Sequence, residues 1–525
     1  MEDVIRGNCT IADVVVIGSG ASGIVTAKWM KEAGYNVLIL EKSNSIGGVW
    51  RENTETISQR HSVFSRENFR FSDLDYPEGT PEFPSKNDVA RYLKEYAHQY
   101  NLEPLVRFNR DVHKLEKLDD GRWKVTAVQN NIQEFFEAKY VAVATGFLTE
   151  PNIPYIPGME TFRGESCHSS KFSDQQWSRM DKRRTVIVGF GNSAVEIADR
   201  AASRCQSVHV SSRSIPWLVP NYLFGHPFDR YSNRISRVLP FKFRQILLER
   251  SVAIVYGNQR RWKLEQKKSA LQAPPVLGQT LLRNVRYGKV TVTGDIERVE
   301  GNTVYFEDGS QTQADLIVFC TGYKAECSCL EGHLKSIVTD PEIGSFKLYK
   351  DVFSPEVGSS LAFIGLLEAT SLGGLVIAET QARWWLKLCQ GQLSLPAKEI
   401  MEDSVAADVV GAMKFYKGEK RCVKLRDGLR YCDEISSLYG AKPQFYKHPY
   451  LALKLLFSCG GAAQYRLQGP DQMKDASDQV STVPIPEAML WTVIGLLLFV
   501  CWFFISSSVT IMEVNDWCDD CLFDD

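Results

Sequence analysis

Ala12-Asp13-Val14-Val15-Val16-Ile17-Gly18-Ser19-Gly20-Ala21-Ser22-Gly23 decides the fold. A short apolar run feeding straight into glycine reads as a buried parallel strand. Helical spacing follows through Ile24, Ala27, Trp29 and Met30 and stops near Gly34. Asn36-Val37-Leu38-Ile39-Leu40 is a second strand, closed by Glu41. The spacing therefore predicts a β-α-β unit with GxGxxG at its first turn. Gly18 permits the tight turn, Gly20 lets backbone approach a pyrophosphate, and Gly23 allows close helix–strand packing. Phosphate oxygens would sit at the helix N-terminus, beside Ser19, Ala21 and Ser22. Glu41 stands where a carboxylate accepts ribose hydroxyls and disfavours a 2′-phosphate, so this unit suits FAD or NAD.

The pattern recurs. Arg184-Thr185-Val186-Ile187-Val188 precedes Gly189-Phe190-Gly191-Asn192-Ser193-Ala194, with alanine at the third position of the fingerprint. After the next strand, Ser207-Val208-His209-Val210, comes Ser211-Ser212-Arg213 in place of an acid. A guanidinium there can fork onto a 2′-phosphate, which favours NADPH over NADH. Tyr140 to Ala144 runs into Thr145-Gly146, and Leu316 to Cys320 runs into Thr321-Gly322, as if each closed one nucleotide domain. Two such sites in one chain imply a flavin reduced by a nicotinamide. Gly47-Gly48-Val49-Trp50 would let the chain pass close to that flavin.

The rest of the chain fits a large globular body. It has 525 residues, 44% apolar and 24% charged, which excludes a disordered or fibrous protein. The net charge of −2 gives no electrostatic case for a nucleic-acid binder. Thirteen cysteines at irregular spacing, without a secretory signal, suggest a reducing compartment and mostly free thiols.

That near-neutral total hides opposing blocks. Residues 214–290 hold 14 Lys and Arg against three acids, a net of +11, interleaved with aromatics such as Trp217, Phe224 and Phe243. Basic plus apolar character suits a cytosolic membrane leaflet or a substrate gate, and a solvated helical insertion is the alternative. Ala488 to Met512 is 25 residues without a charge. As a helix it would cover about 37 Å, enough to cross a bilayer core. It reads as a tail anchor, reached through a polar linker at 469–487 and followed by an acidic tail at 513–525. The tail carries Cys518 and Cys521, a CxxC with no fold around it.

These features together resemble the flavin-containing monooxygenase family, of the animal, membrane-anchored, dimethylaniline monooxygenase-like type. The key match is Phe162-x-Gly164-x-x-x-His168-x-x-x-Phe172 between the two fingerprints. Phe319-Cys320-Thr321-Gly322-Tyr323, Glu379-Thr380-Gln381-Ala382-Arg383-Trp384 and Gln464-Tyr465-Arg466-Leu467 are similar too. The resemblance runs from about residue 12 to the C-terminus.

It implies an α/β fold with two Rossmann-like domains, the NADPH domain inserted in the FAD domain, plus the C-terminal transmembrane helix. Its expected boundaries are 1–160 and 331–468 for the FAD domain and 161–330 for the NADPH domain. It implies FAD held by Gly18, Ser19, Gly20, Ala21, Ser22, Gly23, Glu41, Gly48, Val49, Trp50, Thr145, Gly146 and Gly365. NADPH would be held by Gly189, Gly191, Asn192, Ser193, Ser211, Ser212 and Arg213. His168 would couple the domains rather than act as a base, and no metal site is expected.

The implied reaction passes oxygen from an FAD C4a-hydroperoxide, formed with NADPH and O2, to an amine or thioether. The implied location is the endoplasmic reticulum membrane, with the catalytic part facing the cytosol. A homo-oligomer is left open. One departure touches the chemistry. Counting back eight residues from Phe71-Ser72-Asp73 puts Val63 where the family usually has an asparagine, and Asn68 is merely near it. Baeyer–Villiger oxygenation, NADPH oxidase activity and a membrane-tethered nucleotide-binding protein are therefore alternatives. Phe172 stands where Baeyer–Villiger enzymes typically carry Trp. A dithiol reductase is disfavoured because no Cys lies between Cys9 and Cys167.

Overall fold

The computed structural model describes residues 4–6, 9–51, 61–172, 174–487 and 489. Its first sheet is built on the strand Cys9–Ile17, which lies parallel to Val37–Glu41 on one side and Ile132–Val143 on the other. Val106–Phe108 extends one end in parallel, and Trp123–Gln129 and Asp111–Lys117 form an antiparallel wing at the other. Val14, Val15 and Val16 are wholly buried, as a strand covered on both faces requires.

Leu361–Phe363 pairs in parallel with Ile132–Val143, so a segment from far along the chain completes the first sheet. The helix Gly374–Cys389 then packs beside Ala21–Glu32. Between these two contributions lies a second sheet. Its strands Thr291–Thr293, Ser207–Ser211, Arg184–Val188, Leu316–Phe319 and Glu165–His168 are all parallel. The chain leaves the first sheet and returns to it after building the second, which is the nested arrangement of two doubly wound units. Two short antiparallel strands, Glu150–Pro151 and Tyr323–Lys324, clasp the outgoing and returning connections.

The basic insertion docks on the first unit as well as the second. Arg234 Nε and Nη2 fork onto Asp433 at 3.0 and 2.5 Å, and Arg237 forks onto Asp427 at 3.0 and 3.1 Å. Bidentate pairs of this kind fix orientation as well as attraction. Its longest helix, Phe241–Tyr256, leaves Phe243, Ile246, Leu247 and Ile254 exposed at helical spacing.

Residues 469–487 are more than a linker. They hold the helix Ala476–Thr482, whose Ala476 and Val480 are buried with Leu451, Leu455 and Leu467. The helical period that seats these two side chains is only two turns long and is masked by the polar residues around it. No described helix is long and apolar enough to cross a membrane. The expected anchor 488–512, apart from Met489, and the tail with Cys518 and Cys521 lie outside the described residues.

Candidate functional site

Four glycine-bearing segments converge at the N-terminus of Ala21–Glu32. Gly18 has φ +102°, and a Cβ there would lie 2.7 Å from the Ala144 carbonyl oxygen, just before Thr145-Gly146. A Cβ on Gly23 would lie 1.9 Å from the Gly18 oxygen, so the tight turn and the helix start touch directly. A Cβ on Gly48 would be 3.1 Å from Gly20 Cα, which brings the turn carrying Val49 and Trp50 against the first one. Gly365, at φ +77°, would put a Cβ 2.1 Å from Ser22 Oγ. Gly20 is the N-cap and carries no side chain to satisfy the first amides of the helix. Those amides are free to face a pyrophosphate.

Glu41 is buried at the edge of this cradle. Its Oε2 accepts from Ser19 N at 2.7 Å and Ser19 Oγ at 2.9 Å, and its Oε1 accepts from Ser43 N at 2.8 Å and Ser43 Oγ at 2.5 Å. The carboxylate is thus locked in place beside the phosphate turn, with lone pairs of both oxygens directed by fixed donors. Gln381, from the Glu379–Trp384 run, supports the fourth segment: its Oε1 accepts from Gly365 N at 2.8 Å, and its Nε2 donates to Tyr431 at 2.7 Å. A ribose hydroxyl would reach Glu41 in place of the Ser19 or Ser43 hydroxyl, and a 2′-phosphate would meet its negative charge, so these residues fit a dinucleotide carrying free ribose hydroxyls.

The second turn repeats the design. Gly189 has φ +111°, with its would-be Cβ 2.5 Å from the Cys320 oxygen. Gly191 caps Asn192–Ala201 without a side chain, and a Cβ on it would point into open space. Asn192 Oδ1 is already engaged, accepting from Leu277 N of the insertion at 3.2 Å, and Ser193 is half-buried beside it. Ser211 Oγ donates to Gly294 O and Ser212 Oγ to Ser214 O, both at 2.8 Å. Arg213 stands 85% exposed, 3.9 Å from Asp295. An exposed guanidinium just past this strand, held only by a long contact to Asp295, fits a 2′-phosphate.

His168 is held by its own turn and by the returning connection at Gly322. Ser170 N donates to its Nδ1 at 3.1 Å, so Nε2 carries the proton and donates to Gly322 O at 3.1 Å. Burial pushes its pKa down, which keeps the ring neutral. It ties the outgoing connection to the returning one, and its ring meets Tyr323 edge-on. Phe172 is buried against Trp177, Gly164 lies where a Cβ would be 2.6 Å from Asp315 O, and Phe162 packs against the second sheet.

Val63 and Asn68 separate clearly. Val63 lies on an exposed loop, 38% accessible. Asn68 is fully buried in the turn Arg66–Asn68, and its main-chain oxygen accepts from Gly373 N, the N-cap of Gly374–Cys389. The adjoining Phe69 meets Trp50 edge-on at 5.4 Å, so the Asn68 loop borders the first cradle.

Sequence reasoning missed the partner of Asn68. Asp229, from the basic insertion, accepts from Asn68 Nδ2 at 2.8 Å and from Ser65 N and Oγ, each at 2.8 Å. Arg230 next to it pairs with Glu67 at 3.0 Å and Glu82 at 2.9 Å. Burial pushes the Asp229 carboxyl up from the usual range; burial pushes Glu67 the same way, but the Arg230 guanidinium beside it outweighs that and holds its carboxyl below the usual range. Asp229 and Asn68 are 161 residues apart, and nothing in the local pattern of either announces the other. No group of His, Cys, Asp and Glu among the described residues could hold a metal ion.

The family model described as flavin-binding monooxygenase-like matches residues 12–484. A 4-hydroxybenzoate brominase (decarboxylating) of Marinomonas mediterranea is 31% identical, over 91% of this chain and 94% of that protein. An N-oxide-forming dimethylaniline monooxygenase 2 of Oryctolagus cuniculus is 30% identical, over 89% of this chain and 91% of that protein. Among solved structures, the S-allyl-L-cysteine S-oxygenase of Allium sativum shares the fold. It has a TM-score of 0.63 at 22% identity and covers 90% of this chain and 98% of its own.

Proposed function

The chain belongs to the flavin-binding monooxygenase-like family, and we propose that it spends NADPH and O2 to oxygenate a soft nitrogen or sulfur nucleophile. It is a flavin-dependent monooxygenase, with FAD and NADP(H) as its cofactors. The observation that carries the finer reading is the pairing of two uncapped glycine turns, one guarded by Glu41 and the other by Arg213. Bound FAD supplies hydride acceptance and oxygen activation. The chain's own task is to hold and orient. Glu41 would receive the flavin nucleotide's ribose, the Gly20 turn its pyrophosphate, and Gly191 with Arg213 the phosphates of NADPH. Asn68 would offer its amide where the two cofactors meet. No side-chain acid or base is required beyond these.

The reading is tested by electron bookkeeping in the FAD-loaded protein. With an amine or a thioether present, NADPH consumed is expected to exceed hydrogen peroxide formed, and the difference to appear as N-oxide or sulfoxide. If all electrons emerge as peroxide, the protein is an oxidase. An ester from a ketone would assign it to Baeyer–Villiger oxygenation. A brominated phenol in the presence of bromide would assign it to the chemistry named for the Marinomonas relative.

Arg213 is proposed to select the nicotinamide. Arg213→Ala is expected to raise KM for NADPH about 10- to 100-fold, the worth of one charge-assisted contact, and to leave KM for NADH unchanged. Equal effects on both cofactors would refute the role.

Membrane attachment at the endoplasmic reticulum, with the catalytic body in the cytosol, belongs to the same reading. It is supported by the uncharged span 488–512 and by the exposed apolar residues of Phe241–Tyr256, flanked by Lys242, Arg244 and Arg250. Truncation after Met489 keeps the packed helix Ala476–Thr482. It is expected to release most of the protein from membranes into the high-salt supernatant. Phe243→Glu with Leu247→Glu is expected to release the remainder. Full membrane retention of the truncated chain would remove the span from its anchoring role.

A further inference from the structure

We propose that Asp229 is the positioning residue that fixes the Asn68 amide at the cofactor site, so that the insertion completes that site. The inference rests on the proposed function, in which Asn68 stands where the two cofactors meet.

The geometry is one-sided. All three donors that reach Asp229, from Asn68 Nδ2 and from Ser65 N and Oγ, converge on Oδ2. Asn68 Nδ2 is thereby assigned to Asp229, which forces its carbonyl oxygen the other way. That Oδ1 is buried and has no hydrogen-bond partner in the described structure. Its main-chain oxygen is spent on Gly373 N at 2.9 Å, so neither the backbone nor the side chain can rotate to satisfy it. A buried acceptor left unsatisfied while the amide nitrogen and the main-chain oxygen of the same residue are both engaged is a group held ready for a donor. A ribose hydroxyl or a carboxamide N–H is a donor of that class.

The turn that carries Asp229 is itself held. Arg230 bridges Glu67 and Glu82 on either side of the Asn68 loop. Asn233 donates to the Phe457 carbonyl oxygen at 3.0 Å, and Arg234 forks onto Asp433. Asp229 is 3% exposed, too buried for a surface tether. A tether alone would need Ser65 and Arg230 but would have no use for the Asn68 amide.

The test uses full-length, FAD-loaded protein and five variants: Asp229→Ala, Asp229→Asn, Asn68→Ala, the Asp229→Ala/Asn68→Ala double, and Ser65→Ala. NADP+ affinity is read from its perturbation of the oxidised flavin spectrum, without turnover. The peroxide fraction of NADPH electrons is read separately. Asp229→Ala and Asn68→Ala are each expected to weaken NADP+ binding about 10-fold, and the double to be no worse than Asn68→Ala alone. Asp229→Asn, which still offers an acceptor, is expected to stay within about 3-fold of wild type, as is Ser65→Ala. Multiplying effects in the double, or unchanged affinity in Asp229→Ala, would overturn the proposal. Should Asp229→Ala not fold, an Asp229→Asn variant that loses NADP+ affinity as far as Asn68→Ala would overturn it as well. A wild type that turns every electron into peroxide refutes the oxygenase reading, and the affinity measurements still decide the role of Asp229.

Discussion

Gly23→Ala is expected to yield a colourless protein. The added methyl would sit 1.9 Å from the carbonyl oxygen of Gly18, and that oxygen is backbone inside the turn itself. No side chain can swing away to relieve the contact. Gly18 cannot retreat either, because its own position is pressed against Ala144 and its φ of +102° is open only to glycine. The helix start must therefore lift from the strand Cys9–Ile17. That displaces the amides behind Gly20 and breaks the Ser19 N contact to Glu41 at 2.7 Å. The cost is on the order of several kcal/mol, well beyond ordinary overpacking of about 1–3 kcal/mol. The second unit supplies the control. Its third fingerprint position is already Ala194, fully buried, so that helix stands where a methyl is accommodated. Ala194→Gly is expected to cost only about 1 kcal/mol, from helix propensity and a small void, and to leave the flavin in place. The absorbance ratio of the flavin band to 280 nm checks both, and a yellow Gly23→Ala protein would refute the account.

What was legible in the sequence was what is local. Gly18 to Glu41 contains its turn, helix and carboxylate within one short stretch beside the strand Cys9–Ile17, so the β-α-β unit can be read from that stretch alone. Gly189 to Arg213 is legible for the same reason. The nested order of the domains was an implication of the family resemblance, whose Phe162–Phe172 motif lies between the two fingerprints, and not a reading of any local pattern. The residues that complete the site were not. Leu361–Phe363 is three residues long and joins the first sheet only because Ile132–Val143 offers it a free edge. Counting eight positions from Phe71 lands on Val63, which the structure leaves exposed. The buried amide is Asn68, since the turn Arg66–Asn68 directs that residue inward. The +11 charge of 214–290 suggested a surface role for the whole insertion. Part of that charge is spent internally, in Arg230, Arg234 and Arg237, on acids of the first unit. Charge sums cannot distinguish an arginine paired at an interface from one facing lipid.

Glu379→Ala is expected to abolish folding at 37 °C. Glu379 lies in the middle of Gly374–Cys389, 3% exposed, facing the first unit. Its Oε2 accepts from Ser72 N at 2.8 Å, its Oε1 accepts from Ser72 Oγ, and Arg466 lies 3.6 Å away. Arg466 also donates to Ser72 Oγ at 2.7 Å. Around them Arg383 and Lys387 share Asp471, and Lys28 pairs with Asp73. Lys28, Arg383 and Arg466 all lie over the Trp29 ring, on the helix that starts at the phosphate turn. Removing this one carboxylate leaves Arg466 and Ser72 without it, and Arg383 and Lys387 then share Asp471 alone. Breaking a buried pair from one side costs about 3–5 kcal/mol, a large part of the stability of a typical domain. The loss is felt at the cofactor because Trp29 lies on Ala21–Glu32, the helix that starts at the phosphate turn, and the cluster ties that helix to Gly374–Cys389. Glu379→Gln keeps an acceptor for Ser72 and the same shape, yet it still leaves the cation uncompensated. It is expected to fold with a Tm lower by several degrees, at roughly half the cost of the alanine change. Arg466→Met offers the reciprocal case. It removes the cation, and Glu379, with burial pushing its carboxyl up and Asp73 pushing the same way, can then take up a proton. Its stability deficit is therefore expected to shrink as pH falls, whereas that of Glu379→Gln is not. Thermal denaturation of the three variants at pH 6 and pH 8 separates them. A Glu379→Ala protein with wild-type Tm would show that the cluster contributes nothing to holding the two helices together.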